Sequence, residues 1–207
     1  FFKIGSQLFT AYGPEIVRRI GAMGGNVFLD LKFHDIPNTV KAASANAAGL
    51  RLDGSAGRLV FMMTVHAAAG AEVLRSAVLG AANRAQELGF PRPLIVGVTV
   101  LTSENLGTDT SRIVLERAKT AKEAGLDGIV CSVLETAAVR KEFGNDFVIV
   151  NPGIRPAGSE KADQKRIATP AQAKESGASY IVVGRPILEA PDPRRAAIEI
   201  LRELSAQ

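Results

Sequence analysis

Phe28-Leu-Asp-Leu-Lys-Phe-His-Asp-Ile-Pro-Asn-Thr-Val40 reads as an apolar strand running into a helix that Pro37 opens, with charged residues where a core belongs. Side chains alternate along a strand, so Asp30 and Lys32 share one face with Phe28, while Leu29 and Leu31 take the other. His34 should then turn away from Lys32. Burying a lone charge is costly, so an acid and an ammonium set together on such a strand form either a compensated structural pair or a chemical centre.

Working outward, the same strand-then-helix unit repeats along all 207 residues. Apolar, β-branched runs suggest strands near 2–4, 27–31, 59–65, 94–101, 128–131, 147–150 and 180–183. Amphipathic segments near 14–23, 38–49, 70–88, 111–124, 134–142, 170–176 and 193–205 separate them, with Gly89, Gly125 and Gly177 as helix stops. No Gly-rich dinucleotide turn follows an early strand, so the expected fold is an α/β (β/α)8 TIM barrel in one domain, 1–207, rather than an open doubly wound sheet. Such barrels typically run to about 250 residues. The chain opens directly in a strand, and the expectation is that the first βα unit is missing from it.

The bulk properties narrow the function. With 46% hydrophobic residues the chain can bury a sizeable core, and its apolar runs fall short of the ~20 residues that span a bilayer. Neither a membrane partner nor a secretory leader is expected. Cys131 is the only cysteine, which excludes an intrachain disulfide and fits a reducing cytoplasm. The net charge of +4 is scattered among acids, with two Tyr and no Trp to stack bases, so no nucleic-acid partner is expected. A small anionic substrate accounts for the excess.

In a barrel of this kind the C-terminal strand ends carry the chemistry. Lys3, Asp30, Lys32, His66, Thr102, Arg155 and Arg185 all fall at or just past such ends. Asn151-Pro-Gly-Ile-Arg-Pro156 and Val183-Gly-Arg-Pro186 have the make-up of a phosphate grip, with Gly184 allowing close backbone approach and the two arginines supplying forked donors. The polar stretch 157–165 between them has the composition of a lid. Cys131, Met62 and Met63 are expected in the core. His34 and His66 lack the spacing of a metal triad, so no metal site is expected.

Together, Asp30-Leu-Lys-Phe-His-Asp-Ile-Pro-Asn-Thr39, Val98-Thr-Val-Leu-Thr-Ser103, Pro152-Gly-Ile-Arg-Pro156, Asp163-Gln164 and Gly184-Arg-Pro186 closely resemble bacterial orotidine 5'-phosphate decarboxylase, over nearly the whole chain. The resemblance implies conversion of orotidine 5'-monophosphate to UMP and carbon dioxide in pyrimidine biosynthesis, with no cofactor. It implies that Lys32 stabilises and protonates the C6 carbanion, that Asp30 and Asp35 hold Lys32 charged, and that Lys3 contacts ribose and completes a Lys-Asp-Lys-Asp network. Asp35, Ile36 and Thr39 would reach into a partner subunit's site, making a homodimer with shared active sites. Thr102 would bind near the pyrimidine, and Arg155, Gln164, Gly184 and Arg185 would bind phosphate. Against this pattern, the connection Leu52–Gly57 is longer and the segment Glu104–Ser111 shorter than the family commonly has. Two alternatives stay open: a magnesium-dependent keto-sugar-phosphate decarboxylase or hexulose-phosphate synthase of the same suprafamily, and an inactive nucleotide-binding barrel.

Overall fold

The computed structural model describes residues 1–52, 54, 57–104, 107–156 and 167–205. Each expected strand is present: β1 (Phe2–Gly5), β2 (Val27–Phe33), β3 (Val60–His66), β4 (Leu94–Val98), β5 (Gly128–Val130), β6 (Val148–Asn151) and β7 (Tyr180–Ile181). They follow one another in the sheet in chain order, and the pairs β1–β2, β2–β3, β3–β4 and β6–β7 are parallel. Parallel neighbours require a crossover, and helices supply it. Between the strands lie α1 (Ser6–Tyr12), α2 (Glu15–Ala22), α3 (Pro37–Ala48), α4 (Ala71–Leu88), α5 (Thr110–Glu123), α6 (Val133–Phe143) and α7 (Pro170–Glu175), and α8 (Arg185–Leu188) and α9 (Pro193–Ser205) follow β7.

Local sequence explains most boundaries. Pro37 and Pro170 sit in the first turns of α3 and α7, where a missing N–H costs nothing. At α7 the Thr169 hydroxyl accepts from the Gln172 amide while the Gln172 side chain accepts from the Thr169 amide, a reciprocal capping box. Gly89 ends α4 in the left-handed region at φ 73°, which a residue with a Cβ enters only at a cost. Two helices, α1 and α8, escape sequence reading: α1 follows β1 without a break, and α8 is a single turn. Strand β4 is shorter than its apolar run. Its ladder stops at Val98, and the run finishes in a turn where the Glu104 N–H donates to Leu101 O at 2.9 Å.

The chain divides into two compact units, Phe1–Val98 with Arg117–Gly128, and Thr99–Glu116 with Ile129–Gln207. The first is built on Val27, Leu29, Val60, Met62, Met63, Leu74 and Ile95, all essentially without solvent contact. Before β4 and β5, Arg92 grips Asp127 through two hydrogen bonds of 2.7 and 2.8 Å, and Asp127 also accepts from the Ile95 amide. That forked pair fixes the N-terminal strand ends. In the second unit Val133, Ile154 and Ala173 form a buried cluster with Ile181 and Val183 against it. Arg140 of α6 donates to the Gly144, Phe147 and Gly177 carbonyls and so ties the approaches to β6 and β7 together. Cys131 is buried, as are Met62 and Met63.

Candidate active site

Strand β2 divides its side chains as the alternation requires. Leu29, Leu31 and Phe33 line an apolar cavity of about 210 Å3 with Phe9, Ala43 and Leu50. Phe28 packs edge-on to Phe61, with ring centroids 6.4 Å apart. Asp30 and Lys32 meet directly, Lys32 Nζ lying 2.9 Å from Asp30 Oδ1. On the other carboxylate oxygen, Lys3 Nζ of β1 lies 3.3 Å from Asp30 Oδ2.

Regular strand geometry does not continue to Lys32. Leu29 pairs with Met63 and Phe33 with Val65, so Asp30, Leu31 and Lys32 of β2 stand opposite Thr64 alone. Lys32 absorbs this irregularity with φ 52°, and among the described residues no other non-glycine has a positive φ. A side-chain-bearing residue there is strained by about 1–2 kcal/mol, and such residues gather at functional sites. Extra residues in a strand re-aim side chains beside active sites.

Thr64 escapes sequence reasoning, although a lone hydroxyl within Val60-Phe-Met-Met-Thr-Val65 is the signal that could have found it. Its side chain has no solvent exposure. The hydroxyl accepts from the Lys32 amide at 2.8 Å and donates to Asp30 Oδ1 at 3.1 Å. Three donors therefore converge on the Asp30 carboxylate. Burial alone would push this carboxyl up, but the Lys32 and Lys3 ammoniums outweigh it and hold it below the usual carboxylate value. The cluster is thus an ionised acid between two amines, with the Lys32 side chain still about one-third (36%) exposed.

Asp35, Ile36 and Thr39 lie exposed around the start of α3. Among the described residues Asp35 is not an ion-pair partner of Lys32; its carboxylate accepts from the Ile36 amide at 2.7 Å. His34 stacks on His66, ring centroids 5.2 Å apart, and His66 Nδ1 accepts from the Ala68 amide. Among the described residues no group of three or more His, Cys, Asp or Glu is arranged to hold a metal ion.

The second unit carries the remaining candidates. Arg155 is buried, with 6% exposure, after a turn in which Gly153 takes φ 76°. Its amide donates to Ala168 O at 2.9 Å and its Nη1 to Ile154 O at 3.0 Å. Gly184 precedes α8, whose first residue is Arg185, and a Cβ added at Gly184 would meet open space. Packing within the protein therefore does not demand glycine there. Thr102 is half-buried in the turn after β4. Gln164, and the lid expected over 157–165, lie outside the described residues.

A sequence model of the family described as "Orotidine 5'-phosphate decarboxylase / HUMPS family" matches residues 1–200. The orotidine 5'-phosphate decarboxylase of Moorella thermoacetica is 46% identical, the match covering 98% of this chain and 81% of that one. That of Syntrophomonas wolfei is 47% identical, with 98% and 86% covered. Among solved structures, orotidine 5'-phosphate decarboxylase from Lactobacillus acidophilus superimposes with a TM-score of 0.81 at 37% identity, covering 100% of this chain and 87% of that one. The fold is accordingly of the TIM-barrel-like α/β class.

Proposed function

Since the chain belongs to the orotidine 5'-phosphate decarboxylase / HUMPS family and has relatives named orotidine 5'-phosphate decarboxylase, we propose that it decarboxylates orotidine 5'-monophosphate to UMP in pyrimidine biosynthesis. The observation that carries this reading is the Lys3–Asp30–Lys32 cluster at the ends of β1 and β2. In the reaction the bond from C6 to the carboxylate breaks, its electron pair stays on C6, and carbon dioxide leaves. Lys32 Nζ then gives its proton to C6, and solvent restores it. An ammonium already held by Asp30 needs no reorganisation as negative charge develops, which is the most effective form of electrostatic catalysis. The substrate carboxylate beside Asp30 adds repulsion of ~4 kcal/mol at 4 Å and an effective dielectric of 20.

Lys3 takes the ribose in this reading and holds Asp30 ionised. Thr102 binds near the pyrimidine, and Arg155, Gln164, Gly184 and Arg185 take the phosphate. Asp35, Ile36 and Thr39 serve the site of a second copy in a cytoplasmic homodimer. Their exposure at the start of α3 supports that role. No cofactor takes part, which separates this reading from a magnesium-dependent member of the suprafamily.

The decisive assay follows loss of orotidine monophosphate absorbance by the purified protein in excess EDTA. Turnover undiminished by chelator is expected. Strict dependence on magnesium, with a sugar phosphate as the accepted substrate, would transfer the chain to the other branch of the family. Binding of UMP with no decarboxylation would leave it an inactive nucleotide-binding barrel.

A further inference from the structure

The irregularity in β2 creates a specific hydrogen-bonding problem. Asp30, Leu31 and Lys32 are set against the single residue Thr64 of β3, so the Lys32 amide has no regular ladder acceptor on the neighbouring strand. A buried backbone donor left unmatched is strongly disfavoured. The Thr64 hydroxyl takes that donor at 2.8 Å. A hydroxyl also has one proton to give, and Thr64 gives it to Asp30 Oδ1 at 3.1 Å. The same oxygen accepts from Lys32 Nζ at 2.9 Å. A closed ring results: the backbone of Lys32, the hydroxyl of Thr64, the carboxylate of Asp30 and the ammonium of Lys32.

We propose that Thr64 is a positioning residue for the decarboxylation, its hydroxyl locking the left-handed backbone of Lys32 and the Asp30 carboxylate into one geometry so that the ammonium is delivered to a single place. The role requires a group that accepts and donates at once. Thr64 is fully buried, so solvent does not substitute for it. Valine has the same shape and can do neither. Serine keeps the hydroxyl and loses only a methyl group. Without the clamp, Lys32 at φ 52° is free to relax toward an ordinary strand conformation, and its amine leaves the aligned position. Displacements of about 1 Å at a reacting group cost on the order of 100-fold in rate.

This inference rests on the decarboxylase reading, and the test separates the two. In steady-state kinetics with orotidine monophosphate, Thr64→Val is expected to lower kcat by about 100-fold while KM and the affinity for UMP stay near the wild-type values. Thr64→Ser is expected to restore most of kcat. Wild-type kcat in Thr64→Val, or equal impairment in both variants, overturns the proposal. A second readout does not need activity: hydrogen exchange of the Lys32 amide in 15N-lysine-labelled protein. Slow exchange is expected in the wild type and Thr64→Ser, and fast exchange in Thr64→Val. If Thr64→Val does not fold, the wild-type measurement still decides, because a freely exchanging Lys32 amide in the folded protein sinks the clamp. Protein that turns over no orotidine monophosphate but shows the expected exchange pattern refutes the decarboxylase reading and leaves the clamp standing.

Discussion

Lys32 combines a charge role with a backbone role, and substitutions at this residue separate them. Both Lys32→Ala and Lys32→Gly remove the ammonium, so both are expected to abolish decarboxylation while UMP still binds through its phosphate. They should differ in stability. Alanine keeps a Cβ at φ 52° and glycine does not, so the glycine variant should be the more stable by about 1 kcal/mol, read as a higher thermal midpoint. At a regular strand position the order would be reversed. Asp30 adds a pH dependence. Its folded carboxyl titrates below the ordinary value, so its ion pairs contribute fully above the unfolded pKa near 4 and are lost as pH falls through the lower folded one. Acid titration of stability should therefore be steeper in the wild type below about pH 4 than in Asp30→Asn. Identical acid limbs would show that the carboxyl is not held down.

Among the elements, the α3–α4 contact matters most, because Thr39 lies in the first turn of α3 and Asp35 and Ile36 lead into it. Gly80 of α4 lies directly against the backbone of α3, where an added Cβ would collide with the Lys41 carbonyl oxygen. A backbone carbonyl cannot rotate aside as a side chain does. Gly80→Ala is thus expected to destabilise the fold by roughly 1–3 kcal/mol, measured by urea denaturation, and to reduce activity by shifting α3. The loops after β6 and β7 follow a different principle. Gly184 has open space where a Cβ would go, whereas Arg155, past the end of β6, is buried and held by hydrogen bonds to Ala168 O and Ile154 O.

For the whole molecule, the proposed homodimer makes a prediction that no single chain can satisfy. If Asp35 serves the second copy's site while Lys32 serves its own, Lys32→Ala and Asp35→Ala chains are each inactive alone. Mixed under conditions of subunit exchange, they should regenerate some intact sites and measurable turnover. No recovery in dimers shown by mass to have exchanged would mean that each copy works by itself. Exposed Ile36, with about two-thirds (66%) of its surface open to solvent, is a residue that such an interface would cover.

Much of this protein was legible in its residues because periodicity and punctuation are local. The expected strands, the helices other than α1 and α8, and the stops at Gly89, Gly125 and Gly177 follow from side-chain pattern and from the freedom of glycine at positive φ. The pairing of Asp30 with Lys32 also follows, since both project from one strand face. The left-handed turn at Lys32 does not. It arises from a register shift against β3, and register is a property of two strands. For the same reason the role of Thr64, a lone hydroxyl in an apolar run, depends on the pairing of β3 with β2. Its hydroxyl acquires a task only because tertiary pairing removes a ladder acceptor from the Lys32 amide and places the Asp30 carboxylate within reach.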